Sequence, residues 1–173
     1  MMRKGYVQVY TGDGKGKTTA ALGLALRAAG AGLRVLIAQF IKKKRCSEHK
    51  ALERFGDLVT VSQFGTGFIS GSRGTESEVR AARKGILEVT RLIPLGGYDV
   101  VILDEINVAV SKGLVSVEAV LELLDDRPPG VEIVLTGRDA DKRVIRRADL
   151  VTEMKEIRHY MNKGVNARKG IEM

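Results

Sequence analysis

The chain has 173 residues, 44% apolar and 29% charged with only three prolines, which fits one globular domain over 1–173 large enough to bury a core. No stretch approaches the roughly 20 apolar residues of a membrane span, and residues 1–6 lack the apolar run of a signal peptide, so membrane-spanning and exported classes are excluded and a cytoplasmic protein is expected. The net charge of +8 suits a polyanionic partner, either nucleic acid or a small phosphorylated substrate, and the lack of tryptophan and of interleaved aromatic and basic residues counts against nucleic acid.

Residues 6–10 read as the first strand, and a glycine-rich loop follows. The helix after it, 17–29, is apolar almost all round and is expected to be buried, with Gly30 and Gly32 ending it. Residues 34–40 form a second strand. The basic run Lys42, Lys43, Lys44 and Arg45 reads first as a solvated loop, with a nucleic-acid contact as the alternative, and Cys46, the single cysteine, as a spare thiol. Residues 58–64 make a third strand. Val79, Ala82, Ile86, Val89 and Ile93 recur three and four apart on one helical face, and Thr75 with Glu78 fits a capping box at its start. Residues 98–103 are a short apolar run of the kind buried on both faces of a sheet, ending in Asp104 and Glu105. Ser116 caps a helix that turns Val117, Val120, Leu121 and Leu124 inward. A strand over 131–136 leads to Gly137 and Arg138, and a short helix near 141–148 to Leu150, Val151, Thr152 and Glu153. The tail from 155 is polar and mixed. Strand and helix segments alternate, so the fold class is α/β: a mostly parallel central sheet flanked by helices, P-loop NTPase-like and recombinase-like.

The chemistry concentrates in Gly12, Asp13, Gly14, Lys15, Gly16, Lys17 and Thr18, between a strand and a helix. Glycines let successive backbone N–H groups wrap phosphate oxygens, and the helix dipole adds a positive end. Lys17 neutralises phosphate charge and the Thr18 hydroxyl can ligate Mg²⁺. The strict spacing would put glycine at position 11, where this chain has Thr11. Asp13 is a carboxylate among phosphate binders, so it points away from them or meets the nucleoside. In such folds ligands bind at the carboxyl ends of strands, where Asp104, Glu105 and Arg138 fall. Arg27, the one charge within the apolar helix, either approaches the nucleotide or sits on the rim.

Together these residues resemble the P-loop type of ATP:corrinoid adenosyltransferase. The resemblance rests on the run 11–21, on Gln39-Phe40-Ile41-Lys42, Thr66-Gly67-Phe68, Leu103-Asp104-Glu105, Leu135-Thr136-Gly137-Arg138 and the run 148–153, and on the ending with His159, Gly164, Val165, Ala167, Gly170, Ile171 and Glu172. It implies that Co(I) of a corrinoid attacks the 5′ carbon of ATP and that triphosphate leaves. It implies that residues 12–19, including Thr19, bind phosphates. Lys17 and Glu105 would be catalytic, Thr18 and Glu105 would hold Mg²⁺, and Arg27 and Arg138 would approach ATP. The nucleotide would lie reversed, with its far phosphate in the loop, and Phe68 would sit beside the lower face of the corrinoid. The tail 155–173 would join the substrate site, and an electron-donating reductase and a second copy of the chain would be partners. Two features depart from the family: Ser70 stands where some members carry tryptophan, and the chain is expected to lack the helix that many members have before the first strand.

Other readings of the same loop are a nucleic-acid-stimulated ATPase in which Glu105 activates water, a small-molecule kinase, and a non-catalytic carrier of ATP and corrinoid. The absence of a lid segment with clustered arginines counts against the kinase.

Overall fold

The computed structural model describes residues 4–67, 71 and 74–172. Its strands are β1 (Val7–Thr11), β2 (Val35–Gln39), β3 (Val59–Gln63), β4 (Val100–Asp104), β5 (Glu132–Thr136) and β6 (Leu150–Glu153). They form one six-stranded sheet in the order β3-β2-β4-β5-β1-β6, and every pairing is parallel. Parallel neighbours require crossovers, here supplied by α1 (Lys17–Gly30), α2 (Ser47–Leu52), α3 (Glu76–Leu92), α4 (Ile106–Ser111), α5 (Val117–Asp125) and α6 (Lys142–Arg147).

Alternation along each central strand divides the core between two faces. In β4, Val101 and Leu103 join the cluster under α3, α4, α5 and α6, while Val100 and Ile102 face α1. The anticipated stripe of α3 packs inward through Ala82, Ile86 and Val89, continued by Ile93. Its capping box forms: Thr75 N–H donates to Glu78 Oε2 at 2.6 Å, and Thr75 Oγ1 accepts from Glu78 N–H at 3.4 Å. Such a cap stabilises a helix by about 1 kcal/mol. Ser116 likewise accepts from Ala119 N–H at 3.3 Å to start α5.

The expectation of an all-round buried α1 is corrected. Only an alanine stripe, Ala21, Ala25, Ala28 and Ala29, is buried with Lys17, and Leu26 is 53% exposed. The helix lies on one face of the sheet with solvent on its other side, and its small residues let the backbone approach closely. Two short helices, α2 and α4, carry too few turns to display a period, and residues 47–52 and 106–111 gave no helical signal beforehand.

Candidate nucleotide-binding site

The sheet order places β5 between β1, which feeds the glycine loop, and β4, which ends in Asp104. All strands run parallel, so their carboxyl ends open on one side, and a cleft of about 670 Å³ lies there. That size suits a nucleotide-sized ligand. Its floor is the loop from Asp13 to Thr19; Glu105 and Arg138 border it on the sheet side.

The loop's glycines answer to two demands. Gly12 and Gly16 hold φ of 93° and 122°, a region side chains disfavour. In addition, a Cβ on Gly12 would stand 2.5 Å from the Met154 carbonyl oxygen, and one on Gly14 2.7 Å from it. Gly14 N–H donates to that oxygen at 2.7 Å, so the chain leaving β6 presses directly on the loop. Thr11, where the strict pattern has glycine, is the last residue of β1, and its carbonyl accepts from Met154 N–H at 2.8 Å.

Lys17 is 7% exposed and curls over the loop, its Nζ donating to the Gly12 and Gly14 carbonyls at 2.6 and 2.7 Å. Burial lowers its pKa below the usual lysine value, against the pull of Glu105. Thr18 Oγ1 donates to Asp104 Oδ1 at 2.8 Å. The same oxygen accepts from Thr136 Oγ1 at 2.8 Å, and Asp104 Oδ2 accepts from Gln39 Nε2 at 3.0 Å. Lys42 Nζ lies 3.4 Å from Asp104 Oδ2 and 3.5 Å from Glu48 Oε1. Burial alone would lower the Lys42 pKa, but Asp104 and Glu48 outweigh it and raise it, so the ammonium is held charged.

Glu105 adopts the left-handed region at φ 62°, and its N–H donates to Thr136 Oγ1 at 2.9 Å. Such a conformation costs a non-glycine residue about 1–3 kcal/mol. It breaks the strand abruptly, so that Asp104 faces the core network while Glu105 borders the cleft. Burial first, and Asp104 second, push the Glu105 carboxyl above its usual range; Lys42, Lys17 and Arg138 oppose them. The donor set fits Mg²⁺, which takes hard oxygen ligands. Thr18 spends its hydrogen on Asp104, which leaves its lone pairs for a cation, and the Glu105 carboxylate lies at the same cleft.

Asp13 meets Arg138 at the cleft: Arg138 donates to its carbonyl at 3.1 Å, and Arg138 Nε lies 3.9 Å from its carboxylate. Lys15 points to the tail, donating to Tyr160 Oη at 3.1 Å and Glu172 Oε1 at 2.9 Å. Arg168 and Tyr160, with Lys15, hold the Glu172 carboxyl well below its usual range. His159, Gly170, Ile171 and Glu172 thereby close one side of the cleft, and Ser47, Glu48 and Ala51 of α2 the other.

Most of the anticipated residues converge, namely Asp13, Gly14, Lys15, Gly16, Lys17, Thr18, Thr19, Glu105 and Arg138 at the cleft, with Gly12 behind it under Lys17. Arg27 does not join them. It is exposed in the last turn of α1, about 15 Å from Lys17 at 1.5 Å per residue, and lies outside the cleft lining. Phe68 and Ser70 lie outside the described residues. Sequence reasoning assigned no site role to Gln39, Lys42 and Thr136, although the motifs that carry the family resemblance contain them, and it did not single out His49. Gln39 had a signal, a lone amide closing an apolar strand that ends level with Asp104.

The family model described as ATP:corrinoid adenosyltransferase BtuR/CobO/CobP matches residues 3–173. The chain is 35% identical to a corrinoid adenosyltransferase of Escherichia coli strain K12, over 98% of this chain and 86% of that one. It is 36% identical to a corrinoid adenosyltransferase of a Sinorhizobium species, over 98% and 80%, and 33% identical to one of Pseudomonas aeruginosa, over 98% and 84%. Among solved structures, a KaiC-like protein from Pyrococcus horikoshii OT3 superposes with a TM-score of 0.58 at 18% identity, over 88% of this chain and 73% of that one. That likeness speaks for the fold, a recombinase-like P-loop sheet.

Proposed function

The chain belongs to the ATP:corrinoid adenosyltransferase family, and from that premise we propose how its cleft performs the transfer. The enzyme moves the 5′-deoxyadenosyl group of ATP to the Co(I) centre of a corrinoid and releases triphosphate. The nucleophile is the substrate's own cobalt: its electron pair forms the Co–C bond as the C5′–O bond breaks, and the leaving oxygen carries the pair away on triphosphate. No protein nucleophile or general base is required.

The chain's residues therefore act on the leaving polyanion. The amides of residues 12–19 and the Lys17 ammonium bind its phosphates, and the positive end of α1 adds to them. Lys17 exchanges the Gly12 and Gly14 carbonyls for phosphate oxygens, and its position over the loop supports that exchange. Thr18 and Glu105 hold Mg²⁺, which supplies Lewis-acid neutralisation of phosphate charge when bound. Arg138 leaves Asp13 to reach the nucleotide. By the family resemblance, Phe68 is assigned to the lower face of the corrinoid, and the tail from 155 to the substrate site within a single functional unit over 1–173. A reductase that delivers the electron to cobalt, a second copy of the chain and a cytoplasmic setting complete the reading. Among the described residues no helix is long and apolar enough to cross a membrane.

The observation that carries this reading is the bond from Thr18 to the buried Asp104, which presents the hydroxyl's lone pairs beside Glu105 at the loop. The test is product analysis. ATP, Mg²⁺ and chemically reduced cobalamin should yield a light-sensitive adenosylated corrinoid and, by phosphorus NMR, inorganic triphosphate. ADP and phosphate as the only products would refute it.

A further inference from the structure

Behind the cleft runs a string of hydrogen bonds that the transfer chemistry does not by itself call for. His49, 4% exposed, sits inside α2 on the side away from the cleft. Its Nδ1 accepts from Cys46 N–H at 2.9 Å, and its Nε2 lies 2.8 Å from Gln39 Oε1. Gln39, 1% exposed, passes the string on to Asp104.

Donor and acceptor chemistry leaves one polarity for the whole string. A carboxylate only accepts, so the Gln39 amide must turn its NH₂ to Asp104. Its oxygen then faces His49, so His49 Nε2 must carry the hydrogen. Nδ1 is then left as the acceptor, the role it has toward Cys46 N–H. Gln63 Nε2 also donates to Gln39 Oε1 at 3.0 Å, as the same polarity demands. Cys46, Glu48 and His49 bring ligand atoms within 4.8 Å of one another. Both ring nitrogens are nevertheless committed, so the trio serves as a joint in this string and offers no histidine lone pair to a metal.

A second route joins the same two elements: Lys42 bridges Glu48 of α2 and Asp104. Thus α2, which presents Ser47, Glu48 and Ala51 to the cleft, is tied to Asp104 by a neutral route through Gln39 and an ionic one through Lys42. Asp104 in turn orients the Thr18 hydroxyl.

We infer that His49 is a positioning residue for adenosyl transfer: through Gln39 it sets the Asp104 carboxylate that aims Thr18, and it seats the α2 wall against the nucleotide. This rests on the reading of Thr18 and the loop as the holders of MgATP. A histidine that merely fills the core would affect stability alone. A positioning histidine acts selectively on the nucleotide, since its string ends at Thr18.

The experiment compares His49→Leu, which deletes the donor, with His49→Gln, whose amide keeps one. The readouts are the Kd for MgATP by calorimetry without corrinoid, and KM for ATP, KM for corrinoid and kcat. Losing the buried hydrogen bond to Gln39, the link through which the string reaches Asp104, should weaken MgATP binding and raise KM for ATP about three- to ten-fold, with KM for corrinoid unchanged. His49→Gln should recover most of that loss. Gln39→Leu should give the same shift, and the double variant should be no worse than the single ones, because both cut one string. Unchanged nucleotide binding in a folded His49→Leu protein would overturn the inference, as would parallel rises in both KM values or full additivity in the cycle. Should His49→Leu not fold, Gln39→Leu and His49→Gln decide it by the same nucleotide readouts. Thr18→Ala separates the two layers: if it leaves nucleotide binding intact, the reading of the loop fails as well; if it weakens binding while His49→Leu does not, only the positioning role fails.

Discussion

The two sides of the cleft are built on opposite physical terms. On the strand-end side the polar groups are withdrawn from water: Asp104 and Gln39 are each 1% exposed and Thr136 is fully buried. There each group is matched, Asp104 by Thr18, Thr136, Gln39 and Lys42. In such surroundings a satisfied network is rigid and a broken one is costly. The tail side is held by Lys15 and Arg168 on Glu172, with Lys15 and Arg168 side chains 40% and 51% exposed. Around them is a single 3₁₀ turn, Tyr160–Lys163, in a segment that lies mostly in solvent. Exposed pairs of that kind are screened and contribute little. The contrast teaches how two walls of one cleft can be held differently: a withdrawn, fully matched network fixes the strand-end side, and solvent-screened pairs hold the tail side.

Substitutions can break this contrast. Asp104→Ala should be the most damaging, because it strands the buried partners of the carboxylate; we expect about 3–5 kcal/mol of lost stability by urea denaturation. A cost no larger than that of Glu172→Ala would erase the distinction between the two sides. Lys17→Ala should lower the transfer rate about 10²–10³-fold in a single-turnover assay, the usual scale for removing a preorganised charge stabiliser.

Glu105→Gln sharpens the contrast by separating activity from stability. The folded-state pKa of Glu105 is raised, by burial and by Asp104. A raised carboxyl binds more protons folded than unfolded, so its contribution is fullest below the unfolded pKa and is lost as pH rises through the folded one. Glutamine abolishes that loss. Above the raised pKa the variant should be at least as stable as the wild type in a pH series of denaturation curves, while its transfer rate falls about tenfold or more for want of the carboxylate.

On the tail side, Glu172→Gln should change the MgATP Kd less than about threefold, with a difference that shrinks as salt is raised. Arg27→Ala should do least, leaving KM for ATP within about twofold, as befits an exposed residue beyond the cleft. A larger effect at Arg27 would mean that the nucleotide extends along α1.

Local signals were legible where neighbours in sequence decide the outcome. The glycine loop, the capping box of Thr75 and Glu78, the α3 stripe and the β4 run all depend on spacings of a few residues, and all appear where the sequence puts them. The two acidic residues after that run were visible too, but not their division of roles. The left-handed turn at Glu105 sends one carboxylate into the network and leaves the other at the cleft.

The sequence by itself determined the order of the first five strands and of α1, α3, α5 and α6, the phosphate loop and the family resemblance, because each is written in short-range periodicity or contiguous motifs. Only the tertiary structure decided that β5 lies between β1 and β4, that Gln39, Lys42, Thr136 and His49 gather around Asp104, and that Arg27 is left outside. Those outcomes depend on which strand ends lie side by side and on which buried donor finds which acceptor. Such choices join residues far apart in the chain, and no local spacing encodes them.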